Sequence, residues 1–235
     1  LPPGPGYGNY NINKNKLDAD GSFEVIFSTE RPAGHTGNWL HLHPEARFIL
    51  LRQFSNDWGN ERDVRVAIER LDVPPLKPRW TVEETDRQLK ALFGTYTGCL
   101  TQTALGAVQR VVASGAVNQF KSSYFQDLGN SKDWPQAYFE CVYDIAPDEA
   151  LILETELPAE RVYWNVQVID GLWNQVELVY RQSSLNGHQA RIDADGRFRA
   201  VLSLEHPGIA NWLDPGGHTH GMMIGRWYRC SSHPT

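Results

Sequence analysis

Two stretches of the chain use the same words in the same order. Residues 18–40 read Asp18-Ala19-Asp20-Gly21-Ser22-Phe23, then Glu30, Pro32 and Asn38-Trp39-Leu40, with Arg52 beyond. Residues 193–213 read Asp193-Ala194-Asp195-Gly196-Arg197-Phe198, then Glu205, Pro207 and Asn211-Trp212-Leu213, with Arg226 beyond. Such repetition indicates one structural unit present twice, and it constrains the fold before any local signal does. Asn11 precedes Asp18 by the same seven residues that separate Asn186 from Asp193, so the correspondence reaches back into a preceding turn.

The second copy reads as a set of short strands. Ala137 to Tyr143 and Ala150 to Thr155 are rich in branched and aromatic residues and are separated by the turn Asp144-Ile145-Ala146-Pro147-Asp148. Arg161 to Ile169 alternates, with Val162, Trp164, Val166 and Val168 on one face and Tyr163, Asn165 and Gln167 on the other. Leu172 to Tyr180 alternates similarly, and Phe198 to Ser203 and Met222 to Tyr228 supply the last strands. Asn186-Gly187 and Asp195-Gly196 are hairpin signals, because these residue types tolerate positive φ. The expected fold is mainly β: a jelly-roll-like antiparallel β-sandwich, duplicated in part, with a helical segment between the copies.

Three regions follow: a partial β unit over residues 1–73, a helical segment over 79–128 and a β-sandwich unit over 136–230. Pro74, Pro75 and Pro78 mark the first boundary. Thr81 followed by Glu84 is a capping box, and Val82, Leu89, Leu92, Phe93, Tyr96 and Leu100 form an apolar stripe expected to face a core. A second helical pattern through Leu105, Val108, Val111 and Val112 stops near Gly115. The first copy has only sixteen residues before Leu17 where the second has about three strands. Incomplete sheets leave raw edges, so a missing N-terminal segment, a partner chain (a homo-oligomer) or docking onto the helices is expected to cover it.

Composition excludes several partners. A net charge of −6 without a long basic run argues against nucleic acid. No apolar run approaches the length of a membrane-spanning helix. Cys99, Cys141 and Cys230 are an odd number with no metal-like spacing, so this is no disulfide scaffold, and they do not reveal the compartment.

The two Asp-x-Asp-Gly words resemble the opening of a calcium loop, but the sixth residue after each glycine is Phe27 or Leu202, where that loop needs a glutamate. They read as hairpin turns. His41-Leu42-His43 and His218-Thr219-His220 are weak metal candidates: a strand would point each pair one way, yet the two pairs do not align with one another across the repeat. No cofactor is called for. Arg52 and Arg226 recur at expected strand ends and read as clamps on carbonyls or carboxylates, and Asn38 and Asn211 as loop-shaping residues.

The constellation with most chemistry lies in the second copy. Tyr163, Asn165, Gln167, Trp173, Arg181, Asn186, Asn211, Trp212 and Arg226 are candidate ligand-binding residues, because aromatic rings with amides and guanidinium groups on a concave sheet suit a small polar or glycan-like ligand. Eight tryptophans exceed what a core of this size needs. His188, Asp214 and His218 are candidate acid–base groups. The chain has no Gly-x-Ser-x-Gly elbow, no phosphate-cradling glycine loop with lysine, and no Cys-x-x-Cys.

Together Tyr163-Trp164-Asn165-Val166-Gln167, Arg181-Gln182-Ser183-Ser184-Leu185-Asn186-Gly187, Asp193-Ala194-Asp195-Gly196, Asn211-Trp212-Leu213-Asp214, Gly221 and Arg226-Trp227 resemble the bacterial domain of unknown function twelve-fourteen, often joined to domain twelve-fifty-four. The resemblance covers about residues 137–229, and the first copy repeats only its later half. It implies a jelly-roll-like fold, often with a second β domain and linking helices. Some members carry export signals, which tilts the expected location toward periplasm or secretion. It implies no agreed activity, so no catalytic residue carries over. Three functions are therefore expected alternatives: a binder of a small polar or carbohydrate-like ligand, a hydrolase or lyase using the His and Asp groups, and a structural or assembly subunit.

Overall fold

The computed structural model describes residues 7–74, 76, 79–122 and 136–234. Pro75 and Pro78 of the expected boundary, residues 123–128 of the expected helical segment and the opening Pro-Gly run through Gly6 lie outside these, as does the side chain of Cys99.

The second copy builds two packed sheets. One is β3 (Lys121–Ser122), β4 (Gln136–Asp144), β10 (His220–Cys230), β6 (Arg161–Ile169) and β7 (Ser184–Asn186), hydrogen-bonded in that order and antiparallel throughout. The other is β5 (Ala150–Glu156), β8 (Arg197–Ser203) and β9 (Trp212–Leu213), in which β5 pairs antiparallel with β8 but β8 pairs parallel with β9. A mainly β, two-layered architecture is thus present, while the parallel β8–β9 pair departs from the wholly antiparallel expectation. Alternation explains the layering: Trp164, Val166 and Val168 of β6 turn inward onto Phe198, Ala200 and Leu202 of β8, all in one buried cluster. The Trp164 and Phe198 rings meet edge to face at 4.8 Å, and Trp227 of β10 lies 5.9 Å from Trp164. Both Cys141, fully buried, and Cys230 are free thiols, and burial pushes the Cys141 thiol up to about 12.

The repeat is preserved down to single hydrogen bonds. At each Asp-x-Asp-Gly turn the glycine amide donates to the first aspartate carbonyl at 2.9 Å, and the glycine φ is +84° at Gly21 and +82° at Gly196. The first copy then forms β1 (Val25–Ser28) and β2 (Asn38–His41), paired in parallel like β8 and β9. Asn211 accepts from the Arg191 amide at 2.8 Å and donates to the carbonyls of Arg191 (2.6 Å) and Arg199 (2.8 Å). Asn38 makes the same three bonds to Lys16 (2.8 and 2.9 Å) and Glu24 (2.9 Å). The expected loop-shaping role of both asparagines is the one they have. Asn11 and Asn186 also correspond, each accepting from the amide two residues on.

Burial separates the copies. Phe198, Ala200 and Leu202 are almost wholly buried, whereas their counterparts Phe23, Val25 and Phe27 are only half-buried. Beyond β2 the described residues as far as Trp80 have no regular structure, and Phe48, Leu50, Ile68 and Leu71 are exposed. The helices form as expected: α1 (Val82–Ala91), a π-helical turn (Leu92–Tyr96) and α2 (Thr97–Ala113). Thr81 caps α1 by accepting from the Glu84 amide at 3.2 Å, but the Glu84 carboxylate takes Arg87 and Gln88 instead of closing the box. The apolar stripe does not face a core. Val82, Phe93 and Tyr96 are exposed, whereas α2 is buried at Ala104, Ala107 and Val111, the last packing on the sheet at Val142, Ile169 and Met222.

Asn211→Ala orphans three part-buried backbone groups and should lower unfolding free energy by about 1–3 kcal/mol, while Asn38→Ala, at an exposed clamp, should cost less than about 1 kcal/mol; urea titrations of both variants check the asymmetry. Arg199 and the Arg197 amide hold the Asp195 carboxyl down at about 2, and Arg199 likewise holds Glu154 below its ordinary value. Such depressed carboxyls contribute stability in full above the ordinary carboxylate range, and that contribution is lost as pH falls toward 2. Arg199→Gln should therefore flatten the drop in melting temperature expected of the parent between about pH 4 and pH 2, which thermal melts across that range check.

Candidate functional site

β6 ends at Ile169, and the expected strand over Leu172 to Tyr180 does not form. Asp170 prevents it. Its Oδ1 accepts from the amides of Leu172 and Asn174, both at 2.8 Å, and its Oδ2 from the Asn174 side chain at 2.9 Å. This capture curls the chain into turns, leaving a single bridge between Ile169 and Gln175 and placing Trp173 at φ +67° and Glu177 at φ +41°. Non-glycine residues in that region cost about 1 kcal/mol or more each and concentrate at functional sites.

A second loop faces the first. Asp214 follows β9, is almost wholly buried, and accepts from Arg181 Nη1 at 2.9 Å and from the Gly216 amide at 2.8 Å. Gly216 has φ +62°, and a Cβ there would stand 2.6 Å from Val176 Cγ1, so only glycine closes the loops. The Gln182 side chain ties the pair together through the carbonyls of Ala210 (2.8 Å) and Trp212 (2.7 Å). Between the loops lies an open recess of about 730 Å³ lined by Asp170, Gln175, Val176, Glu177, Tyr180, Arg181, Asp214, Gly216 and His218. Burial works against the charge of Asp170, but the Asn174 side chain, the Asn174 and Leu172 amides and the nearby His218 outweigh it and hold the carboxyl below its ordinary range.

The sequence-selected residues divide. Arg181, Asp214 and His218 share the recess. His188 does not: it lies 3.7 Å from Asp57, on a different surface. Trp173 packs among Val111, Val142, Ile169 and Met222. Asn186 is fully buried, donating to the Asn56 carbonyl and shaping its own turn, and Asn211 is the backbone clamp. Trp212 donates to the Ser203 carbonyl and sits against His206.

Tyr163, Asn165, Gln167 and Arg226 stand on the outer face of the β4–β10–β6 sheet, but Phe54 covers part of it, 4.9 Å from Tyr163 and 4.6 Å from Tyr228. Arg226 is placed in mid-strand rather than at a strand end. Its guanidinium lies over the rings of Tyr138 (4.7 Å) and Phe54 (5.3 Å) and clamps no carboxylate among the described residues. Burial, with help from Arg52, lowers its affinity for a proton, while Tyr138 and Tyr163 oppose this.

Of the histidine pairs, His43 stacks on Tyr7 at 4.2 Å while His41 is exposed, and His220 is exposed beside Thr219. Among the described residues no group of three potential ligands could hold a metal ion. Asp170, Gln175, Glu177 and Gly216 belong to the recess and escaped selection as site residues. Asp170-Gly171 and Pro215-Gly216-Gly217 are turn signals that could have marked both loops.

Comparison with known proteins gives a family and a fold. The sequence profile of the family described as protein of unknown function (DUF1214) matches residues 4–56 and 144–232. No curated protein matches the chain. A crystal structure of an uncharacterized protein from Burkholderia cenocepacia superposes with a TM-score of 0.74 at 22% identity, covering 94% of this chain and 61% of that one. The chain thus spans about three fifths of that structure's length, and the likeness speaks for the fold alone. A Vibrio parahaemolyticus protein, 16% identical over 42% of this chain and 29% of its own, gives a TM-score of 0.34, too low to carry an argument. Among the described residues no helix is long and apolar enough to cross a membrane.

Gly216→Ala should lower stability by about 1–3 kcal/mol, since it adds both a positive-φ penalty and a clash with Val176. Denaturant titration checks the magnitude, and amide chemical shifts of Arg181 and Asp214 should show the recess opening.

Proposed function

The chain belongs to the DUF1214 family of proteins of unknown function, and since membership brings no activity with it, we propose from the recess that it binds a small, neutral, polyhydroxylated ligand of carbohydrate type. The observation that carries this reading is the convergence of opposite hydrogen-bonding types on one open cleft. Asp170, Glu177 and Asp214 accept, while Arg181, Gln175 and His218 can donate. Tyr180, 87% exposed on the same wall, offers a ring face to stack on a sugar. Three carboxylates against one guanidinium, itself paired with Asp214, disfavour an anion.

A hydrolase or lyase in the same cleft is the second reading, supported by the electrostatic proximity of His218 to Asp170. Among the described residues no hydrogen bond joins His218 to a carboxylate, which favours binding over turnover.

Titrating neutral mono- and oligosaccharides into isotopically labelled protein tests the proposal. Shifts should centre on residues 170–182 and 214–218, and Tyr180→Ala should weaken binding about tenfold, within the range of aromatic contacts, without altering the fold. Failure of the panel to perturb the recess, or binding indifferent to Tyr180→Ala, would sink it. Conversion of a sugar to product that His218→Ala abolishes would favour the second reading.

A further inference from the structure

The two copies make one edge of the first conspicuous. In the second copy β8 has neighbours on both sides, β5 and β9. Its counterpart β1 has only β2, and among the described residues nothing pairs with its other edge. The Val201 amide bonds to the Asn211 carbonyl on the β9 side, so alternation turns the amides of Ala200 and Leu202 toward β5. Their counterparts Val25 and Phe27 therefore present unpaired amides on the outer edge, a template for one more strand.

The second copy also indicates the chemistry of that strand. Opposite Leu202, Ala200 and Phe198 stand Leu151, Leu153 and Thr155, which help close the buried face. Between them Glu154 faces Arg199, which also binds Asp193 and Asp195. In the first copy the aspartates persist as Asp18 and Asp20, but the position of Arg199 holds Glu24, exposed and without an ion pair among the described residues. An acid thus stands where the second copy has its central cation, a charge that a basic side chain on an added strand would offset. A second copy of this chain cannot supply it through β5, since Glu154 would then face Glu24.

We propose that the outer edge of β1 is a strand-acceptor site. Its occupant is an antiparallel strand of a partner chain, with apolar side chains opposite Phe23, Val25 and Phe27 and a lysine or arginine opposite Glu24. Main-chain hydrogen bonds supply affinity, and the charge sets register and selectivity.

The test uses two synthetic peptides copying residues 149–157, one unaltered and one with Glu154→Lys, offered to the intact protein. The lysine peptide should protect the Val25 and Phe27 amides from hydrogen exchange. It should also bind about threefold to fivefold tighter than the glutamate peptide at low salt, the range for an exposed ion pair. Glu24→Arg, at an exposed position, should invert the preference. A lack of protection by either peptide, or a preference that Glu24→Arg leaves unchanged, overturns the proposal. So does concentration-dependent protection of β1 without peptide, which would make a second copy the occupant.

Discussion

The carboxamide of Asn211 holds together what the backbone alone could not. Parallel neighbours are ordinarily joined by a crossover of about a dozen residues or more. Here β8 and β9 are joined by residues 204–211 alone, and the pairing is two residues long. Asn211 closes this tight arch by bonding to backbone groups of Arg191 and Arg199 at once, and its own side chain is buried, so the three bonds are at least partly shielded from water. Trp212 then reaches back to the Ser203 carbonyl, and Ser203 to Glu205, which fixes the loop between the strands.

The recess hangs from this arch. Asp214 lies one residue beyond β9, and Gln182 grips the Ala210 and Trp212 carbonyls on either side of the clamped segment. The Arg181–Asp214 ion pair is therefore positioned by backbone that Asn211 has already ordered. The opposing wall is set by Asp170, whose carboxylate accepts three hydrogen bonds from its own loop and keeps acceptor capacity toward the recess. Binding chemistry in this protein thus sits on turns anchored to a rigid sandwich, a common division of labour between loops and sheets.

The same arch in the first copy shows how far local interactions go without a second layer. Its turn, clamp and parallel pair all form, with the same bonds at similar lengths. Its apolar residues remain half in water, because burial requires the opposing sheet that the second copy has in β4, β10 and β6. The exposed stripe of α1 has the same cause: periodicity supplies an apolar face, and only a neighbour can bury it.

Legibility in the sequence followed the range of the interactions. The Asp-Gly turns, the asparagine roles, the alternation of β6 and the helix cap rest on contacts a few residues apart, or on a pattern repeated in the same chain, and residue order alone suffices to read them. The absence of a strand at Leu172 to Tyr180 did not show, since one carboxylate at Asp170 overrode a good alternating pattern. Nor did the covering of the Tyr163 face by Phe54, over a hundred residues away in the chain. By itself the sequence determined that a β unit occurs twice, where its Asp-Gly turns fall and that Trp164, Val166 and Val168 point inward. Only the tertiary structure decided that Arg181, Asp214 and His218 meet while His188 does not, because side chains distant in sequence are brought together by sheet packing, and no local periodicity encodes that distance.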